Sequence, residues 1–379
     1  MIPTAVLFLA DEIAAERRIA GVSAIGRIVR EIAAAGLADI RIVAPEGVQF
    51  AQRVLDDFDR LAPDATIRIS SRVPEGEEVI GFASDYLLPA EVIARFLAGS
   101  ERELAYADEP VAWRFPAPGG CMVADDAIPL DDNAGWELLR RTVKKGDGLV
   151  SRYINRRISR PISGFLLLFP FIRPVHATIG TALLGVAMLL SLLTGSHAGM
   201  VAGAILFQAA SIFDGVDGEI ARVTFRSSDA GASLDSAIDQ AINISFILGL
   251  SYSLTLQGSQ IAVYLGLWSV GAMALGLWLI GRKTLKNGKP LGFDLVKHKM
   301  RDGNFGPIAK AVIAFFTFLT ARDGFAFLFA VVVVFGFNCA LFALEVFAAV
   351  AVIWLATVLV AVLPRPRHAE AAEEVAGLR

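Results

Sequence analysis

Long apolar stretches fill most of the chain between residues 165 and 364 and constrain its fold more than any other feature. A helix that crosses a bilayer needs roughly 20 mainly apolar residues. Six stretches suit this length: residues 173–194, 199–222, 232–256, 261–281, 324–338 and 340–363. The fifth is short; it has an alternative start in the apolar segment 308–319, with Arg322 and Asp323 then inside it or at its edge. We therefore predict an all-α polytopic membrane domain of six transmembrane helices at residues 164–364.

Composition separates the two halves of the chain. The whole sequence is 55% hydrophobic and 19% charged, against roughly 25% charged residues in a typical soluble protein, whereas residues 1–160 contain many charges. The net charge is −3, with no basic stripe and no zinc-type Cys/His spacing, so we expect no nucleic-acid partner. Cys121 and Cys339 lie in different halves, which predicts no disulfide and a reducing compartment.

Residues 1–145 alternate strand-like and helix-like patterns. The predicted strands are residues 6–9, 40–43, 66–69 and 79–83, and the predicted helices are residues 25–35, 89–98 and 134–145. The first ten residues lack a basic segment and predict a buried strand, not a signal peptide. Gly36 is a plausible stop for the first long helix. This order predicts an α/β domain with a mostly parallel sheet.

Residues 19–43 resemble the opening of the sugar-nucleotidyltransferase fold. In that fold a glycine-rich loop follows the first strand and cradles the nucleoside triphosphate, whereas residues 10–18 here contain no glycine and include Asp11 and Glu12. Glycine lets backbone N–H groups approach a phosphate closely. We therefore expect a degenerate nucleotidyltransferase-like domain. Asp85 follows a predicted strand; a loop or capping role is favoured over a metal ligand.

Basic residues predict the orientation of the membrane half. They precede the first span, follow the fourth and follow the sixth, at positions Arg140, Arg141, Lys144, Lys145, Arg152, Arg156, Arg157, Arg160, Arg282, Lys283, Lys286, Lys289, Lys297, Lys299, Arg301, Arg365 and Arg367. The opposite loops near 195–198, 257–260 and 336–339 have no lysine or arginine. With six spans, all basic segments fall on one side, so we expect an integral inner or plasma membrane protein with its N-terminal domain in the cytoplasm.

Residues 146–163 join the two halves, and residues 365–379 form a polar tail. In the joining segment, Leu149, Tyr153, Ile154, Ile158 and Ile162 recur at helical spacing among arginines. This pattern is typical of an amphipathic helix that lies in the membrane interface. A linker helix packed on the soluble domain fits the pattern equally well.

Four aspartates interrupt the apolar pattern where the second predicted span ends and the third begins. Asp214 and Asp217 share one face of a helix, as do Asp235 and Asp239, because residues three or four apart are neighbours. Ionisable residues in spans are rare and usually functional. The short connection between the two spans predicts antiparallel neighbours, so the four carboxylates should converge at the cytoplasmic end.

Converging carboxylates raise each other's pKa unless cations neutralise them. Hard divalent ions prefer oxygen ligands, so a Mg²⁺ or Mn²⁺ pair is the natural partner. Gly218 and Gly231 would let a nucleotide approach the helices, and Arg222 would neutralise phosphate charge. An aspartate not committed to metal would accept a proton from an attacking hydroxyl. A set of membrane-edge carboxylates paired with basic side chains is the disfavoured alternative.

Residues 214–239 resemble the signature of the CDP-alcohol phosphotransferase family, Asp-x-x-Asp-Gly-x-x-Ala-Arg, eight residues, Gly-x-x-x-Asp-x-x-x-Asp. The resemblance covers residues 147–364. It implies that Asp239 is the catalytic base, and that a homodimer forms. It also implies metal ligands at Asp214, Asp217, Asp235 and Asp239, and a CDP site lined by Gly218, Ala221, Arg222 and Gly231.

Residues 147–156, behind a nucleotidyltransferase-like domain, look like the bifunctional inositol-phosphate cytidylyltransferase and di-inositol-phosphate-phosphate synthase type. The resemblance implies a donor such as CDP-diacylglycerol or CDP-inositol and an acceptor such as inositol phosphate. Arg226, Arg282 and Lys299 are candidates to hold a phosphorylated acceptor, although the role of an ordinary cytoplasmic anchor is favoured for each one singly. The chain departs from the family at Pro174-Val175-His176-Ala177-Thr178, where many relatives have Pro-Asn before the threonine.

Two other functions compete with this reading. Intramembrane carboxylates also mark ion and metal transporters, but here they stand at one membrane edge and no acidic residues continue the path outward. A pseudoenzyme scaffold is the third possibility, which the intact motif disfavours for the membrane half.

Overall fold

The computed structural model describes residues 3–74, 78–115, 120–143, 147–286 and 322–362. Its chain forms two compact units. The first contains the residues up to Val143 together with Arg160–Arg173 and Gly218–Ser227. The second contains residues 147–159, Pro174–Asp217 and the described residues from Ser228 onward.

A seven-stranded sheet forms the centre of the first unit, in the order β10-β8-β9-β6-β1-β4-β5. Its strands are β1 Thr4–Phe8, β4 Asp39–Val43, β5 Thr66–Ser70, β6 Val79–Ala83, β8 Glu103–Tyr106, β9 Glu109–Phe115 and β10 Cys121–Val123. Strand β1 pairs in parallel with β4 and β6, whereas β9 runs antiparallel to β6 and β8. The prediction of an α/β domain with a mostly parallel sheet is confirmed.

Burial explains these elements. The side chains of Ala5, Val6 and Leu7 in β1 are fully buried, as expected of a central strand covered on both faces. The remaining elements are α1 Glu12–Glu16, β2 Arg18–Ile19, β3 Val22–Ser23, α2 Ala24–Ala34, α3 Gln52–Leu61, β7 Tyr86–Leu87, α4 Ala90–Ala98, β11 Ile128–Pro129 and α5 Ala134–Arg140. Gly36 has φ +98° directly after α2, which fits its predicted role as the helix stop.

The segment where a glycine-rich loop was sought contains a short helix and a hairpin. Asp11 caps α1 by accepting a hydrogen bond of 2.9 Å from the Ile13 N–H, and β2 and β3 pair antiparallel behind it. The sequence patterns did not predict these three elements, because each is too short to show a period.

Helices make up the second unit and the parts of the chain that link it to the first. A π-helical turn at Ser151–Asn155 leads into α6 Arg156–Leu166. The long helices are α7 Pro174–Leu193, α8 His197–Val223, α9 Asp229–Leu256 and α10 Gln260–Lys286, followed by α11 Arg322–Val332, a 3₁₀ turn Val333–Phe335 and α12 Phe337–Val362. In the joining segment Leu149, Tyr153 and Ile158 are exposed, and the choice between an interfacial helix and a linker helix on the soluble domain stays a prediction.

Aromatic side chains fill the core of the second unit. The rings of Phe207 and Phe246 stack with centroids 4.0 Å apart, and Phe329 meets Phe246 edge-on at 5.2 Å. Phe325 and Phe347 extend the same cluster. These rings join α8, α9, α11 and α12, so the helices that hold the acidic residues are packed against a common core.

Among the described residues, four helices are long and apolar enough to cross a membrane: Pro174–Leu193, His197–Val223, Gln260–Leu279 and Phe337–Leu359. Helix α9 is not one of them; it has 28 residues and three aspartates in its first three turns. Helix α11 has only 11 residues. The six-span count therefore stays a prediction. The alternative start at 308–319, Lys144, Lys145, the basic residues Lys289–Arg301 and the tail 365–379 lie outside the described residues.

Candidate metal centre

Two helices position the acidic residues. Asp214 and Asp217 lie in the last three turns of α8, and Asp235 and Asp239 lie in the first three turns of α9. Ser228 caps α9 by accepting a hydrogen bond of 3.1 Å from the Gly231 N–H. The helical spacing that suggested a shared face is therefore real.

Three of the four carboxylates come together. One carboxylate oxygen from each of Asp214, Asp235 and Asp239 lies within 4.8 Å of the others. All three residues are half-buried. Among the residues that the structure describes, this is the only such group of three or more acidic, histidine or cysteine side chains.

Asp217 lies beside this triad and has a different partner. It is 7% exposed, it interacts electrostatically with Asp235, and its Oδ2 accepts a hydrogen bond of 2.9 Å from the Thr178 hydroxyl. Thr178 belongs to the stretch in α7 where the family asparagine is missing. In the sequence this stretch stood out because it lacks the family asparagine. In the structure its threonine, Thr178, is the residue that orients Asp217.

Arg322 is a site residue that the sequence analysis did not identify. Its Nη1 lies 3.2 Å from Asp214 Oδ1 and also forms an ion pair with Asp239 Oδ1. The Arg322 side chain is only 13% exposed. The available signal was a cation at the edge of the fifth predicted span, which by itself is typical of a membrane anchor.

The residue after Arg322 fixes a neighbouring segment. Asp323 Oδ2 accepts a hydrogen bond of 2.7 Å from the Ser151 N–H, at the start of the π-helical turn. A Cβ on Gly148 would lie 2.5 Å from the same oxygen. Only glycine allows this approach, so Arg322 and Asp323 together connect the joining segment to the acidic triad.

A second contact connects the joining segment to α8. Arg156 Nε pairs with Asp147 Oδ2 at 2.9 Å, and Arg156 Nη1 donates to the Gly215 carbonyl at 3.1 Å. A Cβ on Gly215 would meet Arg156 Nη1 at 3.0 Å. Residue 215 follows directly after Asp214, so the joining segment holds α8 at the acidic motif.

The donor set fits a hard divalent cation. Three carboxylates face a single guanidinium, which leaves negative charge that oxygen-seeking ions neutralise. Asp214 Oδ1 is buried, and Arg322 Nη1 faces it at 3.2 Å without a well-aligned hydrogen bond. Asp214, Asp235 and Asp239, with Asp217 beside them, are thus the residues that could hold a divalent cation.

The residues predicted to line a CDP site lie on the same two helices. Gly218, Ala221 and Arg222 occupy the end of α8, and Gly231 lies in the first turn of α9. A Cβ on Gly218 would meet Arg222 Nη1 at 2.9 Å, so glycine allows the guanidinium to lie along the helix. Their contact with a nucleotide stays a prediction.

Other predicted residues lie elsewhere. Asp85 is exposed in a turn, where its carbonyl accepts a hydrogen bond of 2.8 Å from Leu130 N–H. The Arg282 guanidinium lies 5.4 Å from the ring centroid of Trp278, and Lys299 is outside the described residues. Cys121 and Cys339 are both free, as predicted.

We expect Arg322→Met to lower the thermal stability of the metal-free protein. Removing one partner of a largely buried ion pair leaves the other charges uncompensated, which costs up to about 3–5 kcal/mol. Divalent cations would replace the lost charge. The loss in Tm should therefore be larger in EDTA than in Mg²⁺, whereas the exposed Arg152→Met serves as control; equal losses in both buffers would contradict this assignment.

Comparisons with known proteins match the part of the chain that contains these helices. The profile of the CDP-alcohol phosphatidyltransferase family matches residues 171–362. The bifunctional IPC transferase and DIPP synthase of Thermococcus kodakarensis is 41% identical over 131 residues, 34% of this chain and 29% of that protein. The proteins of the same name from Aquifex aeolicus and Rubrobacter xylanophilus are each 35% identical, over 137 and 173 residues. The alignments cover 36% and 43% of this chain and 31% and 38% of those proteins, so the match spans about a third of the relatives' length.

Proposed function

Because the chain belongs to the CDP-alcohol phosphatidyltransferase family, we propose that it transfers a substituted phosphate group from a CDP-linked donor to an alcohol and releases CMP. The observation that supports this most strongly is the triad Asp214, Asp235 and Asp239, whose carboxylate oxygens lie within 4.8 Å of one another. The triad stands within a complete family signature on α8 and α9.

In the proposed reaction the acceptor hydroxyl attacks the phosphorus that bears the donor alcohol. A new O–P bond forms, the bond to the CMP oxygen breaks, and the hydroxyl proton leaves. Asp239 accepts this proton, because its side chain is partly exposed and Arg322 pairs with it through one oxygen, Oδ1. General-base assistance of this kind contributes about 10²–10⁴-fold to the rate.

The other residues bind and orient. Bound divalent metal supplies electrostatic stabilisation of the charge on the pyrophosphate. Thr178 fixes the orientation of Asp217 through its hydrogen bond. Gly218, Ala221, Arg222 and Gly231 form the proposed CDP site, in which the two glycines carry no side chain that would keep a nucleotide from the helices and Arg222 offsets phosphate charge.

For the substrates we propose CDP-inositol as donor and inositol phosphate as acceptor, with CDP-diacylglycerol as the alternative donor. The curated relatives are named for two activities, and the matching segment contains the aspartate helices. This supports the DIPP synthase activity for this chain over the IPC transferase activity. Arg226 is the proposed contact to an acceptor phosphate, since it is a half-buried cation in the α8–α9 loop.

The N-terminal domain is proposed to be inactive as a cytidylyltransferase. Helix α1, with Asp11 and Glu12 at its start, occupies the segment where a phosphate cradle would lie. Two carboxylates there would repel a triphosphate. A cytoplasmic location of this domain, a site at the inner membrane surface and a homodimer complete the proposal.

A product assay on the purified full chain tests this function. We expect CMP release with Mg²⁺ or Mn²⁺ when a CDP-donor and a polyol phosphate are both present, tested with CDP-inositol and with CDP-diacylglycerol in mixed micelles. CTP with inositol phosphate should give no CDP-inositol. Formation of CDP-inositol would refute the proposal that the N-terminal domain is inactive. The absence of CMP release with every donor would refute the proposed transferase activity.

A further inference from the structure

We infer that the α/β domain positions the loop that joins the two aspartate helices. Its side chains Arg27, Arg30 and Arg60 hold this loop, and Phe225 is the loop side chain that contacts two of these arginines. The loop comprises residues 224–228, between α8 and α9. Residues 218–227 belong to the same compact unit as the α/β domain. The effect on catalysis rests on the proposed function, whereas the grip on the loop does not.

Arg27 makes the deepest contact in this grip. It lies on α2 with 0% exposure, and its Nη2 donates to the Val223 carbonyl at 2.8 Å. The same nitrogen donates to the Ile19 and Ala20 carbonyls at 2.7 and 2.9 Å. Val223 ends α8, and terminal helix carbonyls lack intrahelical partners and favour a cation. Arg27 thus caps α8 from within the α/β domain.

Arg60 holds the next residue. Its Nη1 donates to the Thr224 carbonyl at 2.9 Å, while its Nη2 pairs with Asp57 at 3.1 Å. Asp57 is itself buried and accepts hydrogen bonds of 2.9 Å from the Ser23 N–H and hydroxyl. Arg60, the α3 side chain that reaches the loop, is therefore itself held in place by an ion pair with a buried aspartate.

Phe225 makes the third contact. The Arg30 guanidinium lies 4.3 Å from its ring centroid, and that of Arg27 lies 5.4 Å away. Phe225 has φ +55°, a left-handed conformation that non-glycine residues adopt only when the surroundings enforce it. Two cations over one ring supply such surroundings.

The hairpin after the degenerate nucleotide loop also contacts this loop. Gly21, between β2 and β3, has φ +83°, and a Cβ there would lie 3.1 Å from the Thr224 methyl group. The carbonyls of Ile19 and Ala20, which bond to Arg27, belong to the same hairpin. The part of the domain that follows the missing phosphate cradle is therefore used to grip the loop.

The loop matters because it sets the relation between the two helices. Helix α8 runs without interruption from Asp214 to Val223, and Ser228 caps the start of α9, which bears Asp235 and Asp239. If the α/β domain did not hold the loop, these carboxylates could move apart. Phe225 is thus a positioning residue, and its loss should weaken metal binding and lower kcat without changing the donor KM.

Limited trypsin digestion tests the grip without any activity measurement. In Phe225→Ala we expect cleavage after Arg226 to accelerate by about tenfold or more, since cleavage follows the population of the open loop. Phe225→Trp keeps an aromatic face for the arginines and should resist like wild type. Phe115→Ala, at a residue 61% exposed in the same domain, is the matched control. Unchanged cleavage of Phe225→Ala, or equal acceleration in Phe115→Ala, would overturn the inference.

The kinetic experiment uses the same variants and Arg27→Met. We expect Phe225→Ala and Arg27→Met to raise the Mn²⁺ concentration for half-maximal activity and to lower kcat, with the donor KM unchanged, and Phe225→Trp to restore both. Manganese binding followed by EPR should weaken in parallel. A change confined to KM would overturn the positioning role. If the wild-type protein releases no CMP, the proposed function is wrong, and the digestion experiment still tests whether the α/β domain holds the loop.

Discussion

Replacing Asp239 with asparagine is expected to lower kcat for CMP release by about 10²–10⁴-fold, the usual contribution of a general base. The amide keeps the size of the side chain but cannot accept the proton of the acceptor hydroxyl. Asp239 is the proposed base because it is the family position for that role and lies in the triad with Asp214 and Asp235. The measurement is the initial rate of CMP formation at saturating donor, acceptor and metal.

Asp229→Asn is the matched control for this experiment. Asp229 lies in the first turn of the same helix α9 and is exposed, outside the triad. We expect its rate to stay within about twofold of wild type, since surface changes away from a site have small effects. If Asp239→Asn keeps wild-type kcat, the assignment of the base is wrong.

The second large effect concerns the metal. In EDTA we expect CMP release to fall to background and to return when Mg²⁺ or Mn²⁺ is added. Asp235→Ala should raise the metal concentration for half-maximal rate beyond the about 10–100-fold typical of outer-shell changes. Thr178→Val, which removes the hydrogen bond to Asp217, should fall within that range.

Isothermal titration with Mn²⁺ provides a readout separate from activity. We expect Asp235→Ala to bind Mn²⁺ more weakly than Thr178→Val, and Thr178→Val more weakly than wild type. The reverse order, or full activity in EDTA, would show that the acidic triad is not a metal site.

The sequence predicted that Asp214, Asp235 and Asp239 converge, because helical periodicity converts spacing into position. Asp214 and Asp235 lie where their helix faces required, and the short connection predicted that the helices would be neighbours. The strands β1 and β6 were equally predictable, since buried strands of a parallel sheet are short continuous apolar runs. The strands β4 and β5 instead show the alternation of apolar and polar residues that is typical of a half-buried strand.

What the sequence did not reveal depends on contacts between distant residues. Arg322 lies 83 residues beyond Asp239, so nothing in the local pattern connects them. Thr178 resembles any other threonine near the start of an apolar helix until its hydrogen bond to Asp217 is seen. The antiparallel strand β9 likewise depends on pairing with β6 and β8 across the sheet.

The most direct test of the central claim couples product formation to metal and to Asp239 in one experiment. Purified protein in liposomes receives Mn²⁺, a polyol phosphate and a CDP-donor labelled at the phosphorus next to the donor alcohol. We predict one CMP for each labelled phosphodiester, no product in EDTA, and at most about 1% of the wild-type rate in Asp239→Asn. Manganese flux into the liposomes without CMP release would contradict the account and identify a transporter instead.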